Sequence, residues 1–304
     1  MPKAFKYGVE LETVINYDTR SELQSKLRAL PGVELTGDGS IRCDDRNSQG
    51  MEIRIGVLGY NALKRLLPRI ERICEQYGVT VNQSTGVHVH MSNKRFMTKK
   101  YLTRIINLWI AIEDVLISTQ PRSRFNNSYC KRSLSDFISK NGNMGIPNTP
   151  REIKSWASGL NRYFTLNLSA LSLHGTLECR LHAGSTNAKK ITNWVTLLTS
   201  VYEYALSAEY NPETVKQLFE MASDEAKIAK VFELLKIDTP IATYFNNRIS
   251  KFLLPELATQ QASAVECMKL KPAIDKANKA YTKASEALRR VERQRSNAFS
   301  TLGI

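Results

Sequence analysis

The sequence predicts an α+β fold: an antiparallel β-sheet with a polar face, helices packed on its other face, and an α-helical C-terminal region. Three observations carry this. Four short segments alternate apolar and ionisable residues, the period of a strand covered on one side only. Between them, longer segments repeat apolar residues at three- and four-residue steps, the period of amphipathic helices. Past about residue 207 the strand period disappears and the helical one continues.

The first strand is Gly8-Val9-Glu10-Leu11-Glu12-Thr13. Successive strand side chains point to opposite faces, so Glu10 and Glu12 project together while Val9 and Leu11 face the core. Val33-Glu34-Leu35 leads into a Gly-rich turn carrying Asp38 and Ser40, and Met51-Glu52-Ile53-Arg54-Ile55 then sets Glu52 and Arg54 on one side. A helix follows with Leu63, Leu66, Leu67, Ile70, Ile73, Cys74 and Tyr77 on one face. Val87-His88-Val89-His90-Met91-Ser92 places both histidines opposite Val87, Val89 and Met91. The next helix turns Leu102, Ile105, Ile106, Trp109, Ile112 and Leu116 the same way, and both helices should pack on the sheet.

Thr149-Pro150-Arg151-Glu152 reads as a capping box with proline at the first helical position, opening a helix through Ile153, Trp156 and Leu160. Leu177-Glu178-Cys179-Arg180-Leu181-His182 carries the polar set Glu178, Arg180 and His182. A further helix runs from about Ala188, with Ile191, Trp194, Val195 and Leu198 inward. These elements make a catalytic domain of residues 1–207. A helical appendage at 208–254 follows, with Pro212 and Pro240 near helix starts, and then a basic C-terminal helix at 255–304. On that last helix Ala277, Tyr281, Ala284, Leu288 and Val291 form one stripe, to be covered by the body of the protein or by a second copy of the chain.

At 304 residues and 42% hydrophobic content the chain is long enough to bury its own core. No apolar run approaches the roughly 20 residues that span a bilayer. The start, Met1-Pro2-Lys3-Ala4-Phe5-Lys6, lacks the apolar stretch of a signal peptide. A soluble, cytoplasmic protein with no membrane partner is expected. The five cysteines, Cys43, Cys74, Cys130, Cys179 and Cys267, have neither metal-knuckle nor redox spacing and read as reduced thiols. A formal charge of +14 favours a polyanionic partner, nucleic acid included. No run of Lys and Arg dominates, so a solvated basic surface accounts for it equally.

The polar side of the strands differs from an ordinary solvent-facing sheet, which shows Lys, Thr, Ser and Gln. Three or more carboxylates with an imidazole suit a hard divalent cation, and neighbouring arginines suit a phosphate or a carboxylate. Bare carboxylates would repel the phosphates of a nucleotide, whereas carboxylates that hold Mg2+ present positive charge to bridge them. The residues therefore point to metal-assisted phosphoryl chemistry. There is no Gly-x-Ser-x-Gly elbow and no activated-cysteine pattern for a covalent enzyme intermediate.

Taken in order, the pieces resemble a family. They are Gly8-Val9-Glu10-Leu11-Glu12, Asp38-Gly39-Ser40, Gly50-Met51-Glu52-Ile53 with Val57-Leu58, and Gly86-Val87-His88-Val89-His90-Met91-Ser92. After them come Ser123-Arg124-Phe125-Asn126-Asn127-Ser128-Tyr129-Cys130, Arg162-Tyr163 with Asn167-Leu168, and Gly175-Thr176-Leu177-Glu178-Cys179-Arg180-Leu181-His182. From Phe5 to about Ala205 the chain is similar to the amidoligases of the glutamine synthetase-like carboxylate–amine ligase superfamily, a group often carried by phages and bacteria. The resemblance implies that Glu10, His88 and Glu178 hold one divalent ion and that Glu12 and Glu52 help hold another. It implies that His90 approaches the nucleotide, Arg180 its phosphates, and Arg162 a phosphate or substrate. It further implies ATP and one to three Mg2+ ions as cofactors, with Mn2+ as an alternative. The implied reaction transfers the γ-phosphoryl group to a substrate carboxylate, and an amine then attacks the acyl-phosphate. The amine and carboxylate belong to a small molecule, a peptide or a protein side chain, and the site of action is the cytoplasm, that of a bacterial host if the chain is phage-encoded. Glutamine synthetase has two separated glutamates in its middle region where this chain has Glu52, with Asp38 as a substitute.

Elsewhere two readings stand side by side. Asp38 and Ser40 are candidate substrate-binding residues or ordinary turn residues. Arg124, in a loop from Arg122 to Arg132 with four basic residues, is a candidate clamp for an acidic substrate or a phosphate, or else a solvated side chain. Lys94, Arg95, Lys99 and Lys100 steer anions or begin a solvated helix. Cys130 is expected to pack, His182 to make a structural hydrogen bond and His174 to sit in a turn. Two other functions are open: a nucleic-acid-binding or virion-associated structural protein using the basic surface and tail, and a metal-dependent hydrolase using the His-x-His pair.

Overall fold

A computed structural model describes residues 5–125, 127–132 and 145–252. The apolar stripe expected over residues 277–291, with the rest of the basic C-terminal helix, lies outside the described residues. Met1–Phe252 forms one compact unit.

Six strands form one antiparallel sheet: β1 (Lys6–Asn16), β2 (Val33–Gly37), β3 (Ser48–Leu58), β4 (Gly86–Ser92), β5 (Leu166–Asn167) and β6 (Leu177–Ala183). Their order across the sheet is β2-β3-β1-β4-β6-β5. The α+β fold and its one-sided alternation are as the sequence predicts. Tyr7, Val9, Leu11, Ile53, Ile55, Val87, Val89, Met91, Leu177 and Cys179 are all buried on the apolar face.

The helices are α1 (Arg20–Arg28), α2 (Tyr60–Gln76), α3 (Lys99–Ser118), α4 (Pro150–Ser158), α5 (Ala170–Leu173), α6 (Ala188–Leu206), α7 (Pro212–Glu220), α8 (Glu225–Leu234) and α9 (residues 239–252). The apolar faces read from the sequence are the buried ones: Leu63, Leu66, Leu67, Ile70 and Cys74 on α2, and Leu102, Ile105, Ile106, Trp109, Ile112 and Leu116 on α3. Burial pushes the Cys74 thiol up to about 12, as suits a packed, unreactive cysteine. Helix α6 is tied to the apolar face of the sheet by Tyr7 Oη and Thr199 Oγ1 at 3.1 Å, and to α2 by Tyr60 Oη and Thr196 Oγ1 at 2.6 Å.

Helix α4 opens on the expected capping box, with Thr149 Oγ1 accepting from the Glu152 amide and Glu152 Oε2 accepting from the Thr149 amide. It stops at Ser158, short of Leu160, because Gly159 follows and glycine is a poor helix former. Helices α7 to α9 pack back onto the domain. Lys227 Nζ on α8 meets Asp114 Oδ2 on α3 at 2.6 Å, Arg248 Nε donates to the Thr119 carbonyl, and Phe245 lies against Trp194 of α6. Among the described residues no helix is long and apolar enough to cross a membrane.

Two irregularities interrupt the ladder. Between β1 and β3 the register steps from Tyr7↔Leu58 to Val9↔Ile55, so β3 carries an extra residue near Gly56 and Val57. Between β4 and β6 it steps from Val87↔His182 to Val89↔Cys179, so β6 carries one at Arg180 and Leu181. A bulge of this kind moves every later side chain to the opposite face. That corrects the expected polar set of the last strand. His182 leaves the side of Glu178 and Arg180, is buried on the apolar face, and lies 5.4 Å from the Trp194 ring, centroid to centroid.

Candidate active site

Strand β1 lies between β3 and β4, so both neighbours extend the rows begun by Glu10 and Glu12. Glu10 pairs with His88 on one side and Arg54 on the other, Glu12 pairs with Glu52, and His90 pairs with Glu178 across β4 and β6. Directly opposed strand residues have Cβ atoms about 5 Å apart. Register alone thus collects four strands' worth of acids and imidazoles into one patch.

His88 is the hub. Its Nδ1 lies 3.3 Å from Glu10 Oε2 and 3.6 Å from Glu178 Oε1, and its Nε2 lies 3.3 Å from Glu12 Oε1. His90 Nδ1 is 2.9 Å from Thr176 Oγ1, while its Nε2 stands 3.5 Å from Glu10 Oε1, an ion-pair distance, with no hydrogen-bond partner among the described residues. Glu178 is held from both sides, by Arg180 Nη1 on Oε1 and by Asn167 Nδ2 on Oε2, each at 2.5 Å. Glu12 Oε2 accepts the Gly86 amide at 2.5 Å. A Cβ at Gly86 would stand 3.2 Å from Glu12 Oε2, His88 Nε2 and Arg124 Nη2 alike, so the backbone approaches the acids closely because residue 86 has no side chain.

The electrostatics follow from this crowding. Burial alone would raise the Glu10 carboxyl, but His88 and His90 outweigh it and hold Glu10 well below the usual carboxylate range. Burial is likewise outweighed at Glu178, first by Arg180 and then by the two histidines, and its carboxyl is lowered. Burial pulls His90 down, yet the facing Glu10 and Glu178 leave it raised. Glu52 goes the other way, raised by burial and by the Glu10 charge despite its bond to Arg54.

The donor set suits a divalent cation. One ligand atom each from Glu10, His88 and Glu178 lies within 4.8 Å of the others. A hard cation with bonds of about 2.1 Å needs donors roughly 3–4 Å apart, and the His88–Glu10 and His88–Glu178 separations are 3.3 and 3.6 Å. Carboxylates gathered at this density also repel one another unless positive charge joins them. Beside the cluster opens a cleft of about 450 Å3, lined by Glu10, Glu34, Arg54, His90, His174 and Thr176 together with the backbone of three glycines. The His174 ring meets the His90 ring edge-on at 5.7 Å.

Residues 3–202 match the sequence profile of a family described as "Putative amidoligase enzyme". The chain belongs to this amidoligase family. No curated protein matches the chain. The match covers the whole sheet and ends within α6, in line with the resemblance over Phe5 to Ala205. The family is one of amide-forming ligases, which make C–N bonds between carboxylates and amines, and its placement in the glutamine synthetase-like superfamily is consistent with this profile.

Within this amidoligase-family protein the cluster takes in Glu10, Glu12, His88, His90, Glu178 and Arg180. Glu52 faces it from β3, with its Oε2 bonded to Arg54 Nε at 2.5 Å. Asp38 Oδ1 accepts from the Ser40 amide and hydroxyl, closing the turn after β2. Arg162 is exposed and lies 5.1 Å from the Tyr163 ring centroid. Arg124 is buried, and its Nε and Nη2 donate to the Leu181 and Arg180 carbonyls at 3.1 and 2.5 Å.

Site residues not selected from the sequence include Asn167, Thr176 and His174. Thr176 continues the Glu178, Arg180 alternation one step toward the N-terminus, a signal present in the chain. Asn167 lies on a strand of two residues, too short to show a period, and His174 reaches the cleft through the turn after α5.

Proposed function

We propose that the protein is an ATP- and Mg2+-dependent ligase that joins a carboxylate to an amine through an acyl-phosphate. The observation that carries this reading is the meeting of Glu10, His88 and Glu178 at one point, beside Arg180 and at the mouth of a cleft. When bound there, Mg2+, or Mn2+ in its place, supplies positive charge that bridges phosphate oxygens and draws charge from the transferring group. Glu12 and Glu52 face each other one row away, where a further ion of the one to three expected would bind. Arg180, braced by Glu178, offers its guanidinium to the transferring phosphoryl group and the acyl-phosphate. His90, which lines the cleft with its Nε2 3.5 Å from Glu10 Oε1, positions the nucleotide. The carboxylate attacks the γ-phosphorus, ADP leaves, and the amine then displaces phosphate from the acyl carbon to form the amide. Residues 1–207 are the catalytic unit in this reading.

The test is release of ADP and phosphate that requires Mg2+, an amine and a carboxylate together. Glu10→Gln and Glu178→Gln should abolish it without unfolding the protein. Purified protein that binds neither Mg2+ nor ATP by calorimetry would refute the proposal.

A further inference from the structure

Arg54 occupies the same lateral row as Glu10 and His88, paired in register with Glu10 on one side and Glu34 on the other. Its Nε is fixed to Glu52 Oε2 at 2.5 Å, which orients the guanidinium. More than half of the side chain, 53%, is exposed, and it lines the cleft beside the Glu10–His88–Glu178 cluster. A guanidinium anchored through Nε presents its two Nη groups as a planar fork, a geometry that grips two oxygens of one phosphate.

The rest of the cleft is graded. Next to the cluster stand Glu10, His90 and Thr176, and the wall continues as bare backbone at Gly8, Gly32 and Gly56. Gly56 donates its amide to the Gly32 carbonyl at 2.7 Å, and a Cβ there would stand 3.2 Å from that oxygen, so side chains are kept off this stretch. The bulge in β3 turns Val57 outward, 68% exposed, at the lip. Acidic cluster, cationic fork and apolar lip match the phosphate tail and base of a nucleotide.

Resting on the ligase reading above, we infer that Arg54 binds a phosphate of the nucleotide, and that Glu34, across from it, selects the magnesium-complexed nucleotide over the free polyanion. Glu34 and Glu10 flank the fork with negative charge. A free triphosphate is repelled by both, whereas part of its charge is already neutralised in the magnesium complex, which is specificity by repulsion. The two residues therefore act in opposite directions on the same ligand, a signature that a purely structural pairing would not produce.

The experiment is calorimetric titration of the full-length protein with a non-hydrolysable ATP analogue, with and without Mg2+, on the wild type, Arg54→Gln and Glu34→Gln. Arg54→Gln should loosen binding roughly ten- to hundredfold, the loss expected for hydrogen bonds to a charged group. Glu34→Gln should tighten binding about threefold, the scale of one solvent-screened charge several ångströms away, and should narrow the preference for the magnesium complex. Mn2+ binding retained by Arg54→Gln shows that the cluster is intact. Unchanged nucleotide binding by Arg54→Gln, or weaker binding by Glu34→Gln, overturns this inference alone. A wild-type protein that binds Mn2+ but no nucleotide overturns the ligase reading and this inference with it.

Discussion

Arg124 Nη2 donates to the carbonyl of Arg180 at 2.5 Å, at the bulge of β6 where Arg180 Nη1 bonds Glu178 Oε1. Arg124 serves both carbonyls of the bulge, its Nε donating to Leu181 and its Nη2 to Arg180. Arg124→Leu should therefore destabilise the fold by about 3 kcal/mol, as two buried acceptors lose a charged donor. Arg124→Lys should recover only part of this, because an ammonium cannot reproduce the fork. Urea unfolding of the two variants checks it; equal stability of both with the wild type would contradict the role.

Metal should stabilise the fold by mass action. With Mg2+ or Mn2+ at a hundred times its Kd, binding to the native state alone adds about 2.7 kcal/mol. Thermal unfolding with and without EDTA measures this. Glu10→Gln and Glu178→Gln should remove the metal-dependent increase while keeping the metal-free transition. A full increase in both variants would exclude this cluster as the metal site.

Asn167 fixes Glu178 from the side opposite Arg180, with its Oδ1 held in turn by the Ser169 amide and hydroxyl. Groups that orient a metal ligand typically contribute roughly 10–100-fold to metal affinity or activity. Asn167→Ala should lower Mn2+ affinity within that range and leave the circular dichroism spectrum unchanged. Unaltered Mn2+ affinity would show that Glu178 needs no such support.

His182 predicts an acid-sensitive stability. Burial, reinforced by Arg248, lowers it from 6.5 to about 3, and its Nδ1 lies 2.6 Å from the Ala183 carbonyl. Between those two values the unfolded chain binds a proton that the folded one refuses. The His182 contribution is therefore complete above pH 6.5 and is lost as pH falls towards 3, by up to ~1.4 kcal/mol per pH unit. Urea titrations at a series of acidic pH values should show this slope, and His182→Gln should flatten it by up to one proton. An identical slope in the variant would place the acid sensitivity elsewhere.

The sequence by itself determined the sheet's polarity and most of the carboxylate–histidine cluster. Strand alternation is a local consequence of backbone geometry, so Glu10 with Glu12, His88 with His90, and Glu178 with Arg180 were each assignable to one face from their own few residues. Helix faces were legible for the same reason. The tertiary structure decided what depends on partners far away in the chain. Pairing register set Glu10 opposite His88, and the bulge in β6 carried His182 to the core and gave Arg124 its buried place. Glu52 could be assigned to the polar face from the sequence, but its bond to Arg54 in a row shared with Glu10 and Glu34 could not. Asn167 reached Glu178 only because β5 pairs with β6. Period belongs to the single strand; register and bulges arise where two strands meet, and the contacts they create decide which polar residues share a site.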